Sequence, residues 1–210
     1  MADVVQFNYL PAQPNNWNGR VDGTKRPLLR WHQIIKCVDL NEISTFPFSV
    51  VFLGFCCDVG VNRNYGRIGA KDAPNDLRDV LGNLPVNFHE DLDLFDAGDV
   101  FCSDNDLKTA QRELSERVSQ ILQYGGFPIV LGGGHELTYA HFMGIKGAFS
   151  RSVGVINIDA HLDIREVVDG KGNSGTSFYQ IAEYTKSHGE EFHYLALGIQ
   201  DISNTQALFD

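Results

Sequence analysis

Two short segments carry the residue types best suited to chemistry. The first is Asp159-Ala160-His161-Leu162-Asp163, directly after the apolar run Val153 to Ile158. Two carboxylates and an imidazole spaced by two point to one face if the chain stays extended, with Ala160 and Leu162 facing the apolar side. Carboxylate oxygens with a borderline imidazole nitrogen suit manganese, zinc or iron(II) without thiolate help. Two like charges held so close are costly unless a cation neutralises them. The alternative is a polar strand end pairing with an arginine or a helix N-terminus.

The second segment is Gly132-Gly133-Gly134-His135-Glu136, after the run Phe127 to Leu131. Three glycines permit a sharp turn and close backbone approach, so that His135 projects from a strand end. The same run also reads as a tight turn before a helix, or a phosphate cradle. It is not a P-loop, because no Lys-Ser or Lys-Thr follows. His32 and His141 fall on predicted helices, His89, His188 and His193 lack patterned neighbours, and all five read as surface or packing residues. In His89 to Asp99, acids alternate with Leu and Phe, and a solvated face is expected.

An alternating series of elements must position these loops. Residues 1–27, rich in Pro, Asn and Gly, read as a surface arm or loop, and 28–210 as the α/β domain. Apolar spacing from Leu28 to Ile43 predicts a short helix. Ser49 to Phe55 predicts a strand buried on both faces. A short helix is expected near Pro74 to Leu81 and a weaker strand over Leu92 to Phe95. Leu107, Ala110, Leu114, Val118, Ile121 and Leu122 form one helical stripe within Asn105 to Tyr124, closed by Gly125-Gly126. Strands follow over Phe127 to Leu131, Val153 to Ile158 and His193 to Ile199. Helices are expected over His135 to Phe149 and Ser177 to Lys186, and another begins near Ser203. This order predicts a parallel sheet covered by helices on both faces, with sites at the C-terminal ends of its strands.

Composition narrows the function further. The 210 residues are 43% hydrophobic and 21% charged, as in an ordinary globular domain. A net charge of -10 disfavours nucleic acid and anionic membranes as partners. Neither a signal peptide nor a spanning segment is read from the sequence. Cys37, Cys56, Cys57 and Cys102 form no CxxC pair and read as buried thiols in a reducing cytoplasm.

The GGGHE and DAHLD segments together resemble the first two metal-binding signatures of the ureohydrolases, which include arginase, agmatinase and formimidoylglutamase. Other segments are similar to the formimidoylglutamase branch. Asn64-Tyr65-Gly66-Arg67 with Gly69-Ala70 resembles its NxGRxGA loop, and Arg165 its DAHxDxR form. Asn173 to Phe178 resembles its NSGTPF segment, and Gly198-Ile199-Gln200 through Ser203-Asn204 its later strand and loop.

The resemblance implies an arginase-like, three-layer αβα fold with a mainly parallel sheet. It implies two manganese ions, one bound by His135 and the other by His161. Asp159 and Asp163 would supply carboxylates, Asp159 as a bridge. The implied reaction is hydrolysis of N-formimidoyl-L-glutamate to glutamate and formamide, a step of histidine breakdown. A homo-oligomer is expected. Arg165 would offer paired donors to a substrate carboxylate, or else balance Asp159 and Asp163 from outside the site. Ser174 stands where arginases place a proton-shuttling histidine, so it is expected beside substrate and the proton path stays open. Ser177 replaces the usual proline, with only a local change in loop stiffness expected.

The family's third signature, SxDxD, does not occur before Asp210. A fragment of a longer product is the expected explanation, with the later strands belonging in the middle of the sheet. A natural truncation keeping one weak metal site, or a second chain supplying the rest, are the alternatives. The competing functions are an inactive metal-binding remnant and a ureohydrolase acting on a guanidine.

Overall fold

The computed structural model describes residues 8–209, so the first seven residues of the expected arm lie outside the described residues. Seven strands and five α-helices form the framework of the described residues. They are β1 (Tyr9–Leu10), β2 (Lys36–Cys37), β3 (Ser49–Cys56), α1 (Val59–Arg63), α2 (Ala73–Leu81), β4 (Asp93–Phe101), α3 (Leu107–Gln123), β5 (Gly126–Leu131), α4 (Leu137–Ala148), β6 (Gly154–Ile158), α5 (Ser177–Ser187) and β7 (His193–Leu197).

The larger sheet runs β1-β4-β3-β5, with β2 sharing the β4 edge. All its pairings are parallel except the antiparallel contact of β1 with β4. The strand period of two divides the core. On β3, Val51, Leu53 and Phe55 face the cluster built on α3, while Val50 and Phe52 face Trp17, Trp31 and Leu81. Helices therefore cover both faces, giving the three layers the resemblance implied. α3 buries Leu107, Ala110, Leu114, Val118 and Ile121, the helical stripe read from the sequence. The Asp106 carboxylate caps it by accepting from the Thr109 N–H at 3.2 Å.

β6 and β7 form a separate parallel pair that packs through Val155 and Tyr194 against α4 and α5. No strand pairing among the described residues joins β5 to β6. Their apolar side chains Phe127, Ile129, Ile156 and Ile158 are exposed at this division.

Four expectations need correction. The helix expected over Leu28 to Ile43 is replaced by two 3-10 turns and β2. Its backbone is engaged elsewhere. Trp31 N–H donates to Leu84 O, His32 N–H to Gly82 O, and Leu29 O accepts from Val86 N–H. The apolar spacing instead packs Trp31, Ile34, Ile35 and Cys37 against Phe52 and Trp17. Within the expected arm, Tyr9, Ala12 and Trp17 are buried.

The weak strand expected over Leu92 to Phe95 is a nine-residue central strand, Asp93–Phe101. Its Asp96 and Asp99 are buried, not solvated, because Arg78 of α2 is buried between them. Arg78 donates to Asp96 at 2.7 and 3.0 Å and to Asp99 at 2.8 Å. Trp17 Nε1 adds a bond to Asp96 at 2.5 Å. Burial pushes the Asp99 carboxyl up even though Arg78 opposes the shift. A Cβ on Gly54 would lie 1.8 Å from Asp99 Oδ1, so only glycine leaves room for this carboxylate.

The third correction concerns the DAHLD segment. β6 stops at Ile158, and the chain bends from Asp159 to His161. Asp159 Oδ1 accepts from the His161 N–H at 2.8 Å, an Asx turn that ends the extended run. Asp163 then adopts a left-handed φ of 49°. The three side chains therefore do not share a face by strand alternation. Fourth, two 3-10 turns stand where a helix was expected to begin near Ser203.

Candidate metal centre

The site forms where β5 and β6 end. After Leu131 the backbone takes positive φ at Gly132 and Gly133. A Cβ on Gly133 would come within 2.4 Å of Phe55 O, so the turn can press against the end of β3 only without a side chain. Gly133 N–H donates to Ala70 O, and Gly134 N–H to Cys57 O at 2.8 Å. This pinned turn delivers His135 just before α4.

His135 Nδ1 lies 2.6 Å from Asp163 Oδ2 and 3.6 Å from Asp159 Oδ2. One ligand atom from each of these residues falls within 4.8 Å of the other two, a spacing that fits one metal ion. The donor set is two carboxylates and one imidazole, which suits a divalent ion of the manganese, zinc or iron(II) class. Burial opposes protonation of His135, but the hydrogen bond and charges of Asp163, with Asp159, outweigh it and raise its pKa.

His161 stands outside this group. Its side chain is largely exposed, and Nδ1 lies 3.2 Å from Asp159 Oδ1. Asp159 thus turns one oxygen toward each imidazole. The left-handed turn at Asp163 is what returns a second carboxylate to His135.

Arg165 and Ser174 meet at Asn64, which follows α1. Asn64 Nδ2 donates to Ser174 Oγ at 3.0 Å, and Arg165 Nη1 approaches Asn64 Oδ1 at 3.5 Å. These residues line an open cavity of about 460 Å³ that also takes in His135, Asp159 and Asp163.

Three supporting residues had no role, or too small a one, in the sequence reading. Ser177 is fully buried, and its hydroxyl donates to His135 O at 3.0 Å, so it does more than alter loop stiffness. Glu136 is buried, with Oε1 accepting from the Gly60 N–H at 2.7 Å and Oε2 unpartnered among the described residues. Burial is the main cause of its raised pKa. Asn204 holds the bent loop by accepting from Leu162 N–H and donating to Ala160 O. An acid beside an apolar helix was the available signal for Glu136. The contacts of Ser177 and Asn204 depend on tertiary placement.

A family model described as the arginase family matches residues 48–210. The formimidoylglutamase of Chromobacterium violaceum is 46% identical over 196 residues, covering 92% of this chain and 61% of that protein. The formimidoylglutamase of Clostridium tetani is 41% identical over 216 residues, covering 98% of this chain and 64% of that protein. A crystal structure of Trypanosoma cruzi formiminoglutamase with Mn2+2 superposes with a TM-score of 0.68 at 32% identity, over 82% of this chain and 61% of that one. Bacillus subtilis formimidoylglutamase superposes with a TM-score of 0.71 at 22% identity, over 90% of this chain and 58% of that one, a likeness of fold alone. The chain spans about three fifths of the length of the curated relatives it matches.

Proposed function

The chain belongs to the arginase family, and on that premise we propose that the protein is a manganese-dependent hydrolase of N-formimidoyl-L-glutamate. Water adds its oxygen to the formimidoyl carbon. The bond from that carbon to the glutamate nitrogen breaks, and the nitrogen leaves with a proton. The products are formamide and glutamate, as in a step of histidine breakdown.

The observation that carries this proposal is the convergence of His135, Asp159 and Asp163 in a cavity that also contains Arg165. His135, Asp159 and Asp163 are the ligands proposed for one ion, with the second Asp159 oxygen and His161 directed to another. Bound manganese would supply Lewis acidity and a more acidic water at neutral pH. Arg165 offers paired N–H donors to a substrate carboxylate, and Ser174, held by Asn64, presents its hydroxyl to the same cavity. A serine hydroxyl is not a base near neutral pH, so Ser174 is proposed to orient substrate, not to take its proton. The manganese in the similar Trypanosoma cruzi structure supports the choice of metal. Four free cysteines accord with a reducing, cytoplasmic setting. Among the described residues, no helix is long and apolar enough to cross a membrane.

A guanidine substrate such as agmatine is disfavoured, because Arg165 would repel its cationic end. The position of His161 outside the three-residue cluster favours a second reading, a binder of one ion without turnover. The test is formamide release from N-formimidoyl-L-glutamate by the manganese-loaded protein, with metal content measured in parallel. Formamide release with bound manganese is expected. Bound metal without formamide would establish the second reading instead.

A further inference from the structure

The loop between α1 and α2 carries a cation that the proposed chemistry has not used. Arg67 lines the same cavity as His135 and Arg165. Among the described residues no carboxylate pairs with it, although the chain carries 27 acidic residues against 17 basic ones. The nearby acids Asp159 and Asp163 are directed to His135 and His161.

The loop is held in place at several points. Gly66 N–H donates to Val61 O at 2.9 Å, and Gly69 N–H to the Asp58 carboxylate at 2.8 Å. Ala70 O accepts from the Gly133 N–H, which ties the loop to the turn that delivers His135. At its start, Asn64 contacts both Ser174 and Arg165. Arg67 is therefore carried on a segment bonded to both sides of the site.

We infer that Arg67 is a specificity-determining residue that binds the second carboxylate of a dicarboxylate substrate, which rests on the formimidoylglutamate reading above. Two carboxylates on one substrate call for two cations on one cavity wall, and Arg67 and Arg165 are the arginines lining it. Arg165 follows Asp163 by two residues, on the segment that carries the proposed ligands. It takes the α-carboxylate. The side-chain carboxylate lies two methylenes further out and falls to Arg67. A guanidinium with no acidic partner keeps its paired donors free for an incoming anion.

The test compares N-formimidoyl-L-glutamate with N-formimidoyl-L-glutamine, whose side-chain amide is uncharged but nearly isosteric. A charged hydrogen bond of ordinary strength gives the unaltered protein roughly a tenfold or greater preference in kcat/KM for the glutamate compound. Arg67→Ala and Arg67→Gln should abolish most of that preference, and Arg67→Lys should restore part of it. Calorimetric titration with L-glutamate and L-glutamine, independent of turnover, should show the same loss of discrimination. Equal losses on both compounds, or an unaltered preference, would overturn the role of Arg67 while leaving the proposed activity standing. Failure of the unaltered protein to release formamide would instead overturn the activity, and this role with it.

Discussion

The Ser177 hydroxyl donates to the backbone carbonyl of His135 at 3.0 Å, joining the start of α5 to the turn after β5. Ser177 is fully buried, and Phe178 beside it meets the His135 ring edge-on at 5.6 Å. One helix start thus fixes both the backbone and the ring of a proposed ligand. Ser177→Ala would remove one of two donors to the His135 carbonyl, which also accepts from the Thr138 N–H at 3.1 Å, at a cost of about 1 kcal/mol. Urea unfolding should register that loss, and manganese affinity should fall roughly threefold to tenfold because the ligand is less well held. Unchanged affinity in a destabilised variant would reduce Ser177 to a packing role.

Asp159 faces two imidazoles, with Oδ2 toward His135 and Oδ1 toward His161. Asp163 contacts only His135 among them, at 2.6 Å. Removing Asp163 should therefore damage the clustered site more than removing His161. Metal analysis of the purified variants is expected to show Asp163→Ala losing most bound manganese and His161→Ala retaining more. The reverse order would move the principal site toward His161.

The strands and helices that carry the site were legible because their cores are periodic. Val51, Leu53 and Phe55 alternate with Val50 and Phe52, and α3 repeats apolar residues at helical spacing. His135, Asp159 and Asp163 were found as chemistry-bearing residues at strand ends. The way they meet was not legible. Alternation assumed an extended DAHLD segment, whereas the Asx turn at Asp159 and the left-handed Asp163 fold it back. Asp96 and Asp99 misled for a related reason. A carboxylate is read as solvated until the distant guanidinium that buries it is known. Leu28 to Ile43 had helical spacing, but its N–H groups at Trp31 and His32 found carbonyls about fifty residues away in the chain, at Leu84 and Gly82, that no local pattern announces.

Arg78 is completely buried between Asp96 and Asp99. Removing it would strand two carboxylates in the sheet interior. Breaking a buried pair in this way costs about 3–5 kcal/mol. Arg78→Met, which keeps much of the apolar stem, should lower the unfolding free energy by roughly that amount. Arg78→Lys should recover only part of it, since one ammonium cannot reproduce a fork reaching both acids. Denaturant midpoints at constant m-value provide the measurement. A loss below about 1 kcal/mol for Arg78→Met would mean that the two acids take up protons or water readily.

His141 on α4 offers a pH-dependent test away from the proposed ligands. Burial lowers its pKa below the usual 6.5. It lies beside Phe142, Ile145 and Val155 in a small cavity, with no carboxylate paired to it among the described residues. The unfolded chain therefore binds a proton at a higher pH than the folded chain does. Linkage then requires stability to be greatest above the unfolded pKa and to fall as pH drops through it toward the lower folded value. His135 has the opposite sign, because its raised pKa gives stability that is lost as pH rises through the folded value. Comparing the parent with His141→Gln in metal-free buffer cancels the His135 contribution. The parent should lose stability relative to the variant as pH falls from about 7 to 5. Parallel stability curves across that range would mean that His141 protonates as easily folded as unfolded.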